Sequence, residues 1–492
     1  MSSPNISFST IPASIRKPGV YTETNTSLAV RGVPANAQKA VLIGQKTSSG
    51  TTASQTLQQV FSDADAALYA GTGSVVHRMV KALLVANPNL ARVDYVGIDD
   101  PAGAAAATAL VLVTGTAAAA GTADLYVDNH HISWSVASAD TAATTIGGLA
   151  SGIAAASGDL AVTASVTGPG GLLLVARNKG VAGNYIPVSY VFGGATGQVS
   201  TATGMSGGSG DINIGSATTG ALAAIAAAGH DVIAVQGVDP TMVAALKTYL
   251  DWVSSSTEQR PAVAVLGYND LCTGAYYSAV KTLGGTTANH GRIAVGYLPG
   301  PTTVGMEASA PYIAGALAGV VASQEDPAQP YDSVVVPGLP PSNYQDRLTR
   351  TQQEDLLQNG VTPLIVDSGE NVAICRLIST YVTNASGIVD PALLDLTTIR
   401  TLDYVRLATR QRLALRFPNS KLSARSPALV RAEVLDVLYQ LDQLEILENV
   451  KENEAGVIVE RDTQDPNRID VRIPAYVVPG LHVIAERIDL LF

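Results

Sequence analysis

Residues Gly456 to Phe492 read GVIVERDTQDPNRIDVRIPAYVVPGLHVIAERIDLLF. Ile469, Val471, Ile473, Ala475 and Val477 alternate with Asp470, Arg472, Pro474 and Tyr476, and a period of two places the first set on one face of a strand. Val457, Ile458 and Val459 make a shorter strand before it, and the residues between, Asp462 to Asn467, favour turns. The expected product is a hairpin with Val457, Val459, Ile469, Val471 and Ile473 available for burial. From His482 onward a third strand is expected, with Ile484, Ile488, Leu490 and Phe492 on one side and Arg487 and Asp489 on the other. Left in water, such an ending exposes apolar side chains and an unpaired ladder edge together, so it must pair elsewhere.

Just upstream the charge is dense and segregated. Arg400, Arg406, Arg410, Arg412, Arg416, Lys421, Arg425 and Arg431 face the single Asp403. The sign then reverses through Glu433, Asp436, Asp442, Glu445, Glu448, Glu452 and Glu454, against Lys451 alone. Leu435, Leu438, Leu441 and Leu444 carry helical spacing through the acidic run. Two oppositely charged helices either pair within the chain or meet a neighbour. Both readings stay open at the level of sequence.

At the other end, Lys17-Pro18-Gly19-Val20-Tyr21-Thr22-Glu23 contains one short extended run, with Val20, Tyr21 and Glu23 as its strand-forming positions. Such a segment can add a strand but not a core. This opening, the Asp465-Pro466-Asn467-Arg468 turn with IDVRIPAYVV after it, and the stretch NGVTPLIVDSGENVAICRLISTYV (Asn359 to Val382) resemble contractile-tail sheath proteins, especially those of Mu-like bacteriophages.

The resemblance implies a structural subunit that polymerises helically with its own copies around a tail tube protein. It implies shortening of the polymer to drive the tube through a host cell envelope, with no cofactor and no nucleotide as fuel. Baseplate and tail terminator proteins are the further partners it implies, in a virion component made and assembled in the host cytoplasm. Terminal arms would exchange strands between subunits, and Arg406, Arg410 and Arg425 are the candidate contacts to the tube. Two rival readings are the sheath of a bacteriocin-like or secretion-type contractile machine and, in a different class, an α/β enzyme whose site is assembled from distant segments.

Working inward, Ala40 to Gly44 reads as a buried strand, Ser74 to Ala86 as a helix and Val93 to Ile98 as another strand. The alternation stops at Asp99-Asp100-Pro101 and resumes after Gly210 with strands and helices up to Ala322. Between lie Ala-, Gly-, Thr- and Ser-rich strand-like runs with one helical stretch, Thr141 to Ala156. The expected fold is a multidomain α/β and α+β chain. It consists of an N-terminal arm (1–36), an α/β domain (37–100 and 211–345), an inserted, surface-exposed β-rich α+β domain (101–210) and a C-terminal α+β sheath domain (346–492) ending in a strand arm. Few contacts are expected to cross the ends of the insert.

Composition narrows the function. A chain of 492 residues exceeds what one core supports, and a net charge of −11 disfavours direct nucleic-acid binding. No apolar run suggests membrane insertion. Cys272 and Cys375, the only cysteines, read as buried thiols. Gly204-Met205-Ser206-Gly207-Gly208 fits a nucleophile elbow but lies in what reads as a flexible linker. Gly71-Thr72-Gly73 reads as a helix-start turn, and His130-His131 as part of a hairpin turn. The remaining histidines lack ligand spacing. No catalytic, cofactor or metal constellation is expected.

Overall fold

The computed structural model describes residues 16–22, 33–194, 197–302 and 304–490. They fall into two compact units, residues 36–404 with 477–492, and residues 1–35 with 405–476. The larger unit opens with β1 (Lys39–Gln45), β2 (Leu57–Val60), α1 (Asp63–Ala70), α2 (Val75–Ala86) and β3 (Arg92–Ile98). Then come β4 (Ala106–Gly115), β5 (Gly121–Val127), β6 (His130–Val136), α3 (Ala142–Ala155), β7 (Val162–Thr167), β8 (Gly171–Lys179), β9 (Val188–Gly193) and β10 (Gln198–Ala202). The alternation resumes as α4 (Gly220–Ile225), β11 (Val232–Val235), α5 (Pro240–Val253), β12 (Val263–Asp270), α6 (Gly274–Thr282), β13 (Ile293–Pro299) and α7 (Ala310–Ser323). After it follow α8 (Arg350–Gln358), β14 (Thr362–Val366), β15 (Val372–Ile374) and α9 (Leu396–Arg416).

Eight strands form one sheet in the order β15-β14-β13-β12-β11-β1-β3-β2. The pairings from β3 through β1 to β14 are parallel, while β2 and β15 run antiparallel at the edges. Central strands such as KAVLIGQ are apolar runs rather than alternating ones because helices cover both faces. On one face lie α2 and α7, and on the other α4 and α5. The winding reverses between β1 and β11.

The α7 sequence APYIAGALAGVVAS is buried continuously from Tyr312 to Ala322. Its small residues let it lie directly on α2. A Cβ placed on Gly315 would sit 2.4 Å from the Met79 carbonyl oxygen, and one on Gly319 would sit 2.8 Å from that of Leu83. Both pairs are four residues apart, so one glycine face meets one exposed turn of backbone.

Strands β4 to β10 form two separate sheets, β10-β4-β8-β7 and β6-β5-β9, closed around α3. In β4 buried and exposed positions alternate strictly after Ala106, as a half-covered strand requires. The stretch read as a flexible linker contains β10, which pairs with β4, and Met205 beyond it is buried. The hairpin turn is Asp128-Asn129, and His130 already belongs to β6.

Contacts between the elements of the insert and those of the α/β body are sparse, and the ones that cross are specific polar bonds. Asp128 at the β5–β6 turn is ion-paired with Arg78 of α2 and accepts from the Ser309 amide (2.8 Å) and hydroxyl (3.0 Å) ahead of α7. Asn178 Nδ2 donates to the Lys46 carbonyl (2.9 Å), and Gln45 Nε2 to that of Lys179 (2.6 Å). Low surface charge disguised this seat, because the charges that build it lie inside. The boundary expected at 345/346 also shifts. β14 and β15 continue the large sheet, and the smaller unit begins at Val405.

In the smaller unit, α10 (Ser426–Gln443) buries Val430, Val434, Leu438 and Leu441, one helical face. β16 (Ile458–Arg461) and β17 (Ile469–Arg472) form an antiparallel hairpin pairing Val459 with Val471 and Arg461 with Ile469.

Candidate assembly surfaces

The hairpin is held at its turn and root. Asp462 Oδ1 accepts from the amides of Gln464 (2.6 Å) and Asp465 (2.9 Å), and these donors hold its carboxyl below the usual range. Arg431 of α10 donates to the carbonyls of Val457 (3.0 Å) and Glu454 (2.8 Å). The Glu448 amide donates to the Tyr476 carbonyl (2.9 Å). Register places Val457, Val459, Ile469, Val471 and Ile473 on one face as expected from the alternation, yet only Val457 is fully buried. The sheet holds two strands only, so each has an edge without a ladder partner among the described residues. β17 stops at Arg472 instead of continuing to Val477 because Pro474 has no N–H to extend the ladder.

The arms are the least covered apolar segments. Over residues 482–490 no strand forms among the described residues, and the break Pro479-Gly480 separates the segment from the hairpin. Ile484, Ile488 and Leu490 are exposed, Ile488 at 90%. The expected third strand is therefore not formed among the described residues. Val20 is 97% exposed, and Tyr21 is also exposed, its hydroxyl donating to the Lys17 carbonyl (3.0 Å). Glu23 and Phe492 lie outside the described residues.

The basic run divides into two sets. Arg400 is buried, donating to the Gln324 carbonyl (2.9 Å) and meeting the Tyr331 hydroxyl. Arg412 is almost covered and pairs with Asp436 (2.6 Å) and Glu433 (3.3 Å), the latter shared with Arg416 (3.3 Å). With Arg431 at the hairpin, these cations serve the subunit's own packing. Arg406 and Arg425 are exposed and Arg410 is half-buried. Leu415 and Leu429 are exposed in the last turn of α9 and the first turn of α10.

Where the winding of the large sheet reverses, a cavity of about 480 Å³ lies at the C-terminal ends of β1, β11 and β12. That is the position where doubly wound sheets hold ligands. Its lining carries Asp211 and Asp239 and no lysine or arginine. Gln45 and Gln236 bond each other (2.6 and 2.9 Å), and Asp239 caps α5 through the amides of Thr241 and Met242. These glutamines and Asp239 are committed to the fold, and the charge disfavours anions.

Other sequence candidates resolve into structure. Gly71 and Gly73 have positive φ in a turn, and Ser74 caps α2. Ser206 exchanges backbone bonds with Thr108 and no helix follows it, so the elbow geometry is missing. All six histidines face a carboxylate: His77 with Asp63 (3.0 Å), His130 with Asp159 (4.0 Å), His131 with Asp124 (2.9 Å), His230 with Asp94 (2.7 Å), His290 with Asp251 (2.9 Å) and His482 with Asp332 (2.6 Å). Burial lowers the pKa of His77, whose Nδ1 accepts from the Gly73 amide (3.0 Å), the bonding of a neutral ring. Among the described residues no group of three or more His, Cys, Asp or Glu side chains suits a metal. Cys272 is buried and Cys375 half-buried, both unoxidised. No described helix is long and apolar enough to cross a membrane.

Two domain families match the chain and together cover more than half of it. The phage tail sheath protein central domain matches residues 213–380, and the phage tail sheath C-terminal domain matches residues 389–490. The insert lies outside both. The Mu-like prophage FluMu tail sheath protein of Haemophilus influenzae is 29% identical over 504 residues, covering 99% of this chain and 100% of that protein. The sheath tail protein of Desulfitobacterium hafniense shares the fold with a TM-score of 0.53 at 14% identity, over 94% of this chain and 97% of its own. That of Listeria innocua gives 0.53 at 15%, over 93% and 95%.

Proposed function

Because the chain belongs to the phage tail sheath family, whose members are structural proteins, we propose that it is the subunit of a helical sheath that contracts around a tail tube and drives it through the host envelope during genome delivery. The observation carrying this reading is that the chain has both an open-edged hairpin and apolar arms that form no strand among the described residues. Segments 19–24 and 482–492 add as strands to the hairpins of neighbouring copies, covering Val459, Ile469, Val471 and Ile473. Strand addition contributes main-chain hydrogen bonds and apolar burial together. The arms then keep subunits connected while closed bodies rotate and slide, and the work of contraction comes from the difference between two packings of the same copies. The tube protein is the second partner, with baseplate and terminator proteins at the ends. Assembly takes place in the host cytoplasm and the product is a virion component.

Deleting residues 482–492 tests the reading. The truncated subunit is expected to melt as the full chain does but to form no tubes or rings by electron microscopy. Tubes of normal appearance would refute strand exchange by this arm.

A further inference from the structure

The C-terminal arm is not loose from its start. His482 Nδ1 lies 2.6 Å from Asp332 Oδ2, and its Nε2 lies 3.5 Å from Asp395 Oδ2. The imidazole is largely covered, with 13% of the side chain exposed. Both carboxylates stand on fixed ground. Asp332 follows Tyr331, which is buried and donates to the Val321 carbonyl (2.9 Å), while the Ser333 amide donates to the Ile374 carbonyl (2.8 Å). Asp395 immediately precedes α9 and holds the Arg376 guanidinium through both oxygens (2.8 Å each). Gly480 adds a second, independent mark of the seat. A Cβ there would meet Pro330 Cγ at 2.8 Å and the His482 ring at 2.6 Å, so the chain approaches this surface closely before the imidazole inserts. One residue later, Val483 is 78% exposed.

We propose that His482 is a positioning residue for assembly. Clamped between Asp332 and Asp395, it fixes the root of the arm on the subunit's own body, so the segment free to reach a neighbour begins at Val483. This deepens the sheath reading and rests on it. A strand exchanged from a fixed root leaves with a set direction and reach, which limits the registers and neighbours it can join. Released from that root, the same strand could start its pairing from any of several points between Val477 and Val483. The clamp therefore acts on the order of the polymer more than on whether strands can pair. Chemistry fits the role. A ring N–H can donate to Asp332, whereas the apolar residues that follow offer that oxygen nothing.

The test compares His482→Ala, His482→Asn and Asp332→Ala in the full-length chain. Asn places an amide N–H where Nδ1 stands and retains the bond to Asp332. In unassembled subunits, hydrogen exchange over residues 477–483 should rise at least tenfold in the Ala variants and stay near wild type in Asn. The His482→Ala/Asp332→Ala double variant should be no faster than either single one. Polymers of the Ala variants should show mixed diameters or pitches where Asn gives uniform tubes. Unchanged exchange in His482→Ala, or additive effects in the double variant, would overturn the clamp. Faster exchange with uniform tubes would leave the contact but overturn its positioning role. The exchange measurement needs no polymer, so a wild-type chain that failed to assemble would count against the sheath reading and not against the clamp.

Discussion

Helix α7 and the C-terminal arm are both rich in apolar side chains, and their fates are opposite. Every residue of α7 from Tyr312 to Ala322 is buried, while in the arm Leu481, Val483, Ile484, Ile488 and Leu490 are all exposed. Hydropathy does not separate them, and the difference lies in what else the chain supplies. Gly315 and Gly319 admit α2 at backbone distance, whereas the apolar side chains of the arm after His482 are exposed. Apolar surface covered by the same chain builds the fold, and apolar surface left exposed is what the proposed assembly would use. The charges divide the same way, since Arg78 and Arg412 are nearly covered and paired while Arg406 and Arg425 are exposed.

The sharpest way to break this division is at the covered pair. Arg78 and Asp128 have side-chain exposures of 6% and 0%. Arg78→Ala leaves the Asp128 carboxylate buried with only Ser309 to answer it, a cost of about 3–5 kcal/mol. A fall of that size in unfolding free energy by urea titration is expected, and a loss under about 1 kcal/mol would mean that the pair behaves as a surface one. The same argument revises the excision of the insert. Removing residues 101–210 takes Asp128 away and strands Arg78, so a shortened chain should regain stability when Arg78→Met accompanies the deletion.

A smaller effect is expected at Glu307, between β13 and α7. Burial, opposed by the bond from Asn269 and reinforced by Asp128, Asp270 and Asp346, pushes its carboxyl up to about 7 from 4.5. The folded state holds this proton more tightly than the unfolded one. Glu307 therefore costs nothing below pH 4.5, and its cost grows between 4.5 and 7 and levels off above. At about 1.4 kcal/mol per unit the total is on the order of 3–4 kcal/mol at most. Glu307→Gln keeps an acceptor for Asn269, and its Tm should match wild type at pH 4.5 and exceed it at pH 8. A difference that does not vary with pH would remove Glu307 from the account.

How much of this was legible in the sequence follows from whether the signal was local. The helix over 240–253 and the apolar strands around 40–44 and 293–297 carry their period within a few residues, and the structure forms them there. The strands that sequence reading passed over, LQQV and QVSTA, are short and polar, and they sit at sheet edges where the partner decides the pairing. The hairpin face was legible from alternation alone. The Arg78–Asp128 pair and the His482 clamp were not, because their partners stand far apart in the chain and no spacing rule connects them. The arm ending was read as a strand from its local alternation, and over residues 482–490 the structure forms none.

The last prediction sharpens the division among the charges and has the smallest effect on the subunit itself. A sheath must register on its tube and then release it, which favours weak contacts repeated along the polymer over one large apolar patch. An exposed ion pair is worth about 0–1 kcal/mol, and many in register add to a large total. Arg406, Arg410 and Arg425 are the proposed contacts, Arg406 and Arg425 because they are exposed and Arg410 because it lies one turn from Arg406. Reversing the exposed Arg425 to glutamate should change unfolding free energy by no more than about 0.5 kcal/mol, and the stability of each reversed variant is measured before any assembly experiment. With all three arginines reversed, polymerisation on preformed tubes should drop well below that of the sheath alone, and the deficit should grow as salt is lowered, because like charges then repel over a longer range. If tube-free polymerisation falls equally, the three arginines hold sheath subunits to one another. If neither falls, the exposed set has no part in assembly, and the tube must be met by the acidic residues that follow Glu433 instead.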